Sequence, residues 1–271
     1  MRNHKRIELL VIDGQNDFCG PNGALFVAGA DKDMVCLAEF VKQNGAKLAD
    51  INVTLDSHHP VHVAHPCFWR NCNGENPQPF TIISAKDVMT GVWTPTIPAK
   101  GLWDRMVDYV KKLEAGGRYP LCVWPPHCLI GSWGHNIYPP LFDAICQWET
   151  CNFATVTIIT KGSSPFAEHY SAIKAEAPDP RDETTQLNVA FVEKLKACDV
   201  ILIAGEPLSH TVANTVRDLA DAFGDDRLVG KLVLLSDATS SVTGFDALGT
   251  AFVQEMIARG MQVTTTKDFR F

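Results

Sequence analysis

An α/β fold, with a doubly wound, mainly parallel sheet and helices on both faces, is predicted by three features of the sequence. Short apolar runs rich in β-branched residues recur along the chain, amphipathic segments of helical period separate them, and acids, imidazoles or a lysine follow several of the runs. Strands that alternate with helices form βαβ units, and their crossovers make neighbouring strands parallel. In such sheets ligands sit beyond the carboxyl ends of the strands, so the residues just after each run are the ones that bear on function.

The first run, residues 7–13, reads as a buried strand ended by Gly14, with Asp13 at its carboxyl end. Over residues 31–48, Met34, Leu37, Ala38 and Val41 recur on one helical face and Asp31 is a suitable N-cap; residues 51–55 follow as a second strand. Further strands are expected at 121–123, 154–160, 200–204, 231–235 and 261–265, and helices at 185–196, 211–223 and 246–259. Two connections are long, 59–120 and 161–184. Their Pro, Gly, Asn and Trp content marks ordered loops, with one short helix near 102–113. No repeat and no linker divides the 271 residues, so 1–271 reads as a single domain.

Composition narrows the function. With 46% hydrophobic and 20% charged residues the chain can bury a core. Its 24 basic against 31 acidic residues leave a formal charge of -7 and no basic run, which disfavours nucleic acid as a partner. The longest uninterrupted apolar stretches, such as Val200 to Ala204, fall far short of the ~20 residues that span a bilayer, so no membrane helix is expected. The N-terminus is basic at Arg2, His4, Lys5 and Arg6, but Glu8 and Asp13 interrupt the apolar run behind it; a cytoplasmic protein is expected. Nine scattered cysteines without a CxxC pair argue against both a disulfide framework and a thiolate zinc site.

The strand ends carry Asp13, then Asp56 and His58, then His127, Lys161 and the turn 205–212. Each alone has an ordinary explanation, since a strand-end Asp often caps a helix and a lysine beside a turn is usually a surface residue. Their collection on one edge is what favours a site. Side chains at i and i+2 of a strand project to the same side, so Asp56 and His58 can grip one metal ion. His127, approached through Pro125 and Pro126, can supply a third ligand. Nitrogen and oxygen donors without thiolate suit Zn²⁺, Fe²⁺ or Mn²⁺, with water filling the remaining positions. His62 and His65 are weaker candidates. Gly162 permits a turn that would direct Lys161 to the cleft. The turn at 205–212 leads straight into a helix, so the backbone N–H groups of His210 and Thr211 could face an anion as an oxyanion hole; an ordinary turn capped by Ser209 or Thr211 is the alternative. Phe18, Trp69, Trp93 and Trp124 could stack on a ring or pack the core.

Together these segments resemble the nicotinamidase and pyrazinamidase family of the isochorismatase-like cysteine hydrolases. The matching stretches are residues 11–19 (VIDGQNDFC), Asp56-Ser57-His58, 124–128 (WPPHC), Lys161-Gly162 and 205–215, in the family's order and spread over most of the chain. The resemblance implies hydrolysis of nicotinamide, or a related small aromatic amide, to the acid and ammonia through a thioester. Asp13 would take the nucleophile's proton and pass it to the departing ammonia, and Lys161 would hold the charge arrangement. A metal on Asp56, His58 and His127, most simply Zn²⁺, would bind the pyridine nitrogen directly or through water, with Phe18 and Trp124 beside the ring. The family also implies a homo-oligomer and a cis peptide in the 205–212 turn, which here falls before Pro207, where a cis bond costs least.

One position departs from the pattern. Where the family reads His-Cys-Val-x-x-Thr, this chain has His210-Thr211-Val212-Ala213-Asn214-Thr215, so Thr211 stands at the place of the nucleophile. A threonine hydroxyl ionises far less readily than a thiol, and an internal threonine has no α-amino group to assist it. Turnover is expected to be impaired. Two alternatives stay open: a non-catalytic protein that binds nicotinamide-like ligands or metal, and a non-covalent isochorismatase-type hydrolase, against which the metal triad counts.

Overall fold

The structure is a computed structural model that describes residues 5–271, so Arg2 and His4 of the basic N-terminal segment lie outside the described residues. The chain runs β1 (Ile7–Ile12), α1 (Asn16–Cys19), α2 (Ala30–Asn44), β2 (Asp50–Asp56), β3 (Trp69–Arg70), β4 (Ile82–Ile83), α3 (Ala85–Met89), β5 (Thr94–Pro95), α4 (Leu102–Gly116) and β6 (Leu121–Cys122). It continues through α5 (Pro139–Asn152), β7 (Thr157–Lys161), α6 (Val189–Lys196), β8 (Val200–Gly205), α7 (Ala213–Phe223), β9 (Leu232–Leu235), α8 (Asp246–Ala258) and β10 (Gln262–Thr264). Six strands form one sheet in the order β10-β9-β8-β1-β2-β7, every pair parallel. The chain starts in the middle at β1, winds outward to β7, then returns to place β8 on the other side of β1. That reversal is the switch point at which such sheets open a crevice.

Both faces of the sheet are covered, which is why the central strands read as continuous apolar runs. In β1, Leu9 and Val11 join Met34, Leu37 and Val41 of α2 and Leu141, Ile145 and Trp148 of α5 in one core. Leu10 and Ile12, pointing the other way, join Leu195 of α6, Leu219 of α7 and Phe252 and Met256 of α8. No helix among the described residues is long and apolar enough to cross a membrane.

Several boundaries differ from expectation, each for a local reason. Asp31 does not cap α2: Gly29, at φ 101, is the N-cap and Asp31 lies in the first turn. The strand predicted at 154–160 begins only at Thr157, because the N–H groups of Ala154 and Val156 close the end of α5 on the backbone and side-chain oxygens of Glu149. The run 121–123 does not join the main sheet; β6 pairs antiparallel with β4 inside the long excursion. Helix α6 starts at Val189, where the Asn188 side chain caps the Phe191 N–H, and only a 3-10 turn occupies Glu183–Thr185. Helix α5 was not anticipated. Pro139 and Pro140 look like breakers, yet proline is welcome in a first turn, and Leu141, Ala144, Ile145 and Trp148 carry the helical spacing behind them.

Gly205 ends β8 against β1 at φ 122, and a Cβ there would lie 1.9 Å from the Ile12 carbonyl oxygen. Gly205→Ala is therefore expected to destabilise the protein by about 3 kcal/mol or more, since strain and a backbone clash coincide. Urea unfolding at neutral pH measures it; a loss under about 1 kcal/mol would show that the two strands separate easily here.

Candidate active site and metal centre

Strand register brings the polar residues together. Asp56 at the end of β2 stands opposite Lys161 at the end of β7, and Ile12 stands opposite Gly205, so Asp13 and the turn after β8 leave the sheet side by side. Asp13 turns at φ 47; its N–H reaches Thr54 Oγ1 at 3.1 Å, and the Thr54 hydroxyl donates to Asp13 Oδ1 at 2.5 Å. The Lys161 ammonium lies 2.8 Å from Asp13 Oδ2 and 3.1 Å from Asp56 Oδ1, and donates to the His169 carbonyl at 3.0 Å. One buried cation thus joins two buried carboxylates.

The charges sort by environment. Burial alone would lower Lys161, but the two carboxylates outweigh it and hold the ammonium charged above its usual range. Burial pushes the other way on Asp56, yet His58 and Lys161 keep its carboxyl well below the ordinary value. For Asp13 burial wins over Lys161, so its proton affinity is raised. A carboxylate with raised affinity beside a fixed ammonium is suited to accept and return a proton.

Asp56, His58 and His127 each offer an atom within 4.8 Å of the others, all three residues buried. His58 Nε2 is 3.0 Å and His127 Nε2 3.4 Å from Asp56 Oδ2. Their Nδ1 atoms sit 2.9 Å from the Gly162 carbonyl and 2.8 Å from the Pro125 carbonyl. A carbonyl only accepts, so each Nδ1 carries the proton and each Nε2 presents a lone pair beside the carboxylate. This donor set, with both tautomers fixed from behind, fits a divalent cation such as Zn²⁺. Gly162 is required by the packing: at φ 80, a Cβ would come 2.7 Å from Asp56 Oδ1 and 2.8 Å from His58 Cε1. His62 and His65 pack against the His58 ring at 4.3 and 5.3 Å between centroids but lie outside the triad, with ring nitrogens directed at the Ala167 and Pro60 carbonyls.

Next to the triad is a small cleft. Phe18, Leu25, Trp124, Tyr170 and Val242 form its apolar walls; Asp56, His127, Glu168, His210 and Thr211 supply its polar ones. Phe18 and Trp124 thus lie where a ring could stack. Trp69 does not: it is buried, with its Nε1–H donating to the Val63 carbonyl. Trp93 is half-buried and does not line the cleft either.

The helix expected from Thr211 begins at Ala213 as α7, preceded by a π-helical turn over Leu208–Val212 in which the Pro207 carbonyl accepts from both His210 and Val212 N–H at 3.2 Å. The His210 N–H is thereby engaged within the turn. The Glu206–Pro207 peptide is cis. The Thr211 hydroxyl donates to the Glu206 carbonyl.

Four further residues support the site. Gln15 accepts from the Asp56 N–H at 2.7 Å and donates to the Asp56 carbonyl at 2.8 Å, extending the sheet's hydrogen bonding with a side chain. Asp17 accepts from the Cys128 N–H at 2.6 Å, and the Cys128 carbonyl accepts from His58 N–H at 3.1 Å, so this one acid ties the His127 segment to the His58 segment. Glu168, its carboxyl affinity raised by burial, and Tyr170 reach the cleft from the 161–184 loop. Gln15 and Asp17 lie in the stretch 11–19, so their polarity behind a buried strand was the available signal; Glu168 and Tyr170 had none.

His210 stands in an aromatic cage, stacked on Tyr119 at 4.9 Å and edge-on to Trp124, Tyr170 and Phe245 at 5.3, 5.4 and 5.0 Å. Burial pushes its imidazole down to about 4. The unfolded chain binds that proton first, so the contribution to stability drops as pH falls below about 6.5 and levels off below the folded value. His210→Phe should therefore gain on the parent by about 2 kcal/mol between pH 7.5 and pH 5. Urea midpoints at the two pH values, compared as a double difference, test this, and an unchanged difference would mean that His210 titrates normally.

The fold and this centre define the class: a parallel α/β protein whose buried carboxylate and two imidazoles could hold a metal ion. No family model matches the sequence. The chain is 27% identical over 268 residues to the nicotinamidase of Acinetobacter baylyi (strain ATCC 33305 / BD413 / ADP1), covering 99% of this chain and 96% of that protein. A solved nicotinamidase/pyrazinamidase of Acinetobacter baumanii superposes with a TM-score of 0.65 at 20% identity, covering 98% and 99% of the two chains. The pyrazinamidase of Pyrococcus horikoshii, solved in complex with zinc, superposes at 0.56 with 19% identity, covering 96% and 99%. The chain is thus similar over nearly its whole length to a nicotinamidase and shares the fold of solved nicotinamidases and pyrazinamidases.

Proposed function

We propose that this protein is a nicotinamidase-type amidohydrolase scaffold that holds nicotinamide, or a related small aromatic amide, beside a Zn²⁺ ion, with hydrolysis slowed by Thr211. The observation that carries the reading is Lys161, whose ammonium bridges Asp13 and the metal-site carboxylate Asp56 beside an aromatic-walled cleft. The likeness to the Acinetobacter nicotinamidase over nearly the whole chain supports the substrate class. In this reading Phe18 and Trp124 hold the ring, and Asp56, His58 and His127 would hold a Zn²⁺ ion that would supply Lewis-acid polarisation beside it. Asp13 accepts the attacking group's proton and returns it to the leaving ammonia, while Lys161 keeps the pair of carboxylates compatible with burial. The backbone N–H of Thr211 would face the developing oxyanion, since those of His210 and Val212 are held by the Pro207 carbonyl. Nine free cysteines fit a reducing cytoplasm, and self-association into a homo-oligomer belongs to the same reading.

A second reading, a binder without turnover, is favoured by one contact: the Thr211 hydroxyl is satisfied by the Glu206 carbonyl rather than by a base. Calorimetry with nicotinamide and nicotinic acid on zinc-loaded protein, run beside a continuous ammonia-release assay, tests the proposal. Saturable binding with very slow ammonia release is expected, and removal of the metal by chelation should weaken binding. Absence of binding to the zinc-loaded chain would overturn the substrate assignment.

A further inference from the structure

A second cavity, of about 760 Å³, shares no lining residue with the cleft. It is built by the 59–120 excursion and the 161–184 loop. Phe68, Pro95, Leu102 and Phe166 form apolar walls, while Val61 and Ile97, 45% and 57% exposed, leave the apolar surface open to solvent. Its volume lies in the range of small-molecule sites, roughly 300–1,000 Å³.

Its charge is the opposite of the chain's. Among the described residues no carboxylate lines the cavity, whereas Lys100, Arg105 and Arg181 do, in a protein of net charge -7. The two guanidinium groups are held in place. Arg105 donates to Asp179 at 2.8 Å, and Arg181 donates to the same carboxylate at 2.9 and 2.8 Å. Arg105 also lies 3.9 Å over the Phe166 ring. One carboxylate thus fixes two cations at an apolar wall and leaves their charge undercompensated, with exposed Lys100 nearby. A ligand rich in hydroxyl or amide groups would find few partners here, because Thr96 is the one neutral hydroxyl in the lining.

We propose that this cavity binds a small amphipathic carboxylate, its apolar body against Phe68, Ile97 and Leu102 and its carboxylate at Lys100 and Arg181. The site is separate from the amide-binding cleft and does not depend on the reading of that cleft.

Calorimetric titration of the intact protein with octanoate, octan-1-ol and nicotinic acid tests it. One saturable octanoate site is expected, with octan-1-ol weaker by about tenfold, as two exposed charge contacts would give. The double variant Lys100→Glu/Arg181→Glu, at two exposed positions, should weaken octanoate by at least as much and leave octan-1-ol unchanged. Ile97→Asp, at an exposed wall position, should weaken both. No saturable octanoate binding at millimolar concentration, equal binding by the charge-reversed variant, or competition between octanoate and nicotinic acid would each overturn the proposal.

Discussion

Thr211→Cys is expected to raise the rate of amide hydrolysis by several powers of ten, each tenfold corresponding to about 1.36 kcal/mol of barrier. Thr211 lines the cleft beside Asp56 and His127, but its hydroxyl donates to the Glu206 carbonyl and carries no activating partner. A thiol at this place would ionise far more readily, and Asp13, whose proton affinity burial raises, would be the group to take the proton. Binding should change little, because the aromatic walls and the metal ligands are untouched. Asp13→Asn in the cysteine background should abolish the gain. Ammonia release under single-turnover conditions is the measurement. Rapid turnover by the unaltered chain that survives Thr211→Ala would show that the chemistry runs through another group.

Lys161→Met should cost about 3–5 kcal/mol of stability at pH 7.5, measured by urea unfolding with chelator present. The variant leaves the Asp13 and Asp56 carboxylates buried with no cation between them, both having lain within 3.1 Å of the ammonium. The pH dependence follows from Asp56, which His58 and Lys161 hold below the ordinary carboxylate range. That lowered affinity stabilises the parent above the unfolded carboxylate value, near pH 4, and the contribution disappears as pH falls through the folded value. In the variant the carboxyls can take up protons at higher pH instead, so the gap between parent and variant should narrow on acidification. A loss below about 1 kcal/mol at pH 7.5 would mean that water, rather than Lys161, compensates the two acids.

The order of strands and helices could be read locally because each central strand is buried on both faces and each helix on one. Residues 7–13 and 200–204 announce themselves by unbroken apolar character, and α2 by the spacing of Met34, Leu37, Ala38 and Val41. Helix α5 is hard to read locally because two prolines at its start obscure an otherwise regular apolar face. The metal-site residues were legible for a similarly local reason, since the i, i+2 spacing of Asp56 and His58 places both on one side of the chain as β2 ends.

Contacts between distant segments obey no such local rule. The ammonium of Lys161 could reach Asp13 and Asp56 only because β7 and β1 flank β2, and strand order is set by how whole helices cover the sheet. Gln15 holds the Asp56 backbone from 41 residues away, and Asp17 holds Cys128 from 111. Glu168 and Tyr170 reach the cleft from a loop whose sequence has no period to read. Residue types and spacing along one strand or helix therefore sufficed for the fold class and the candidate ligands, whereas attention to Thr211 came only from the family resemblance. Which carboxylate gains proton affinity, which aromatic rings face the cleft and what the Thr211 hydroxyl bonds to depended on burial and on neighbours far apart in the chain, quantities that come into being only when the segments pack.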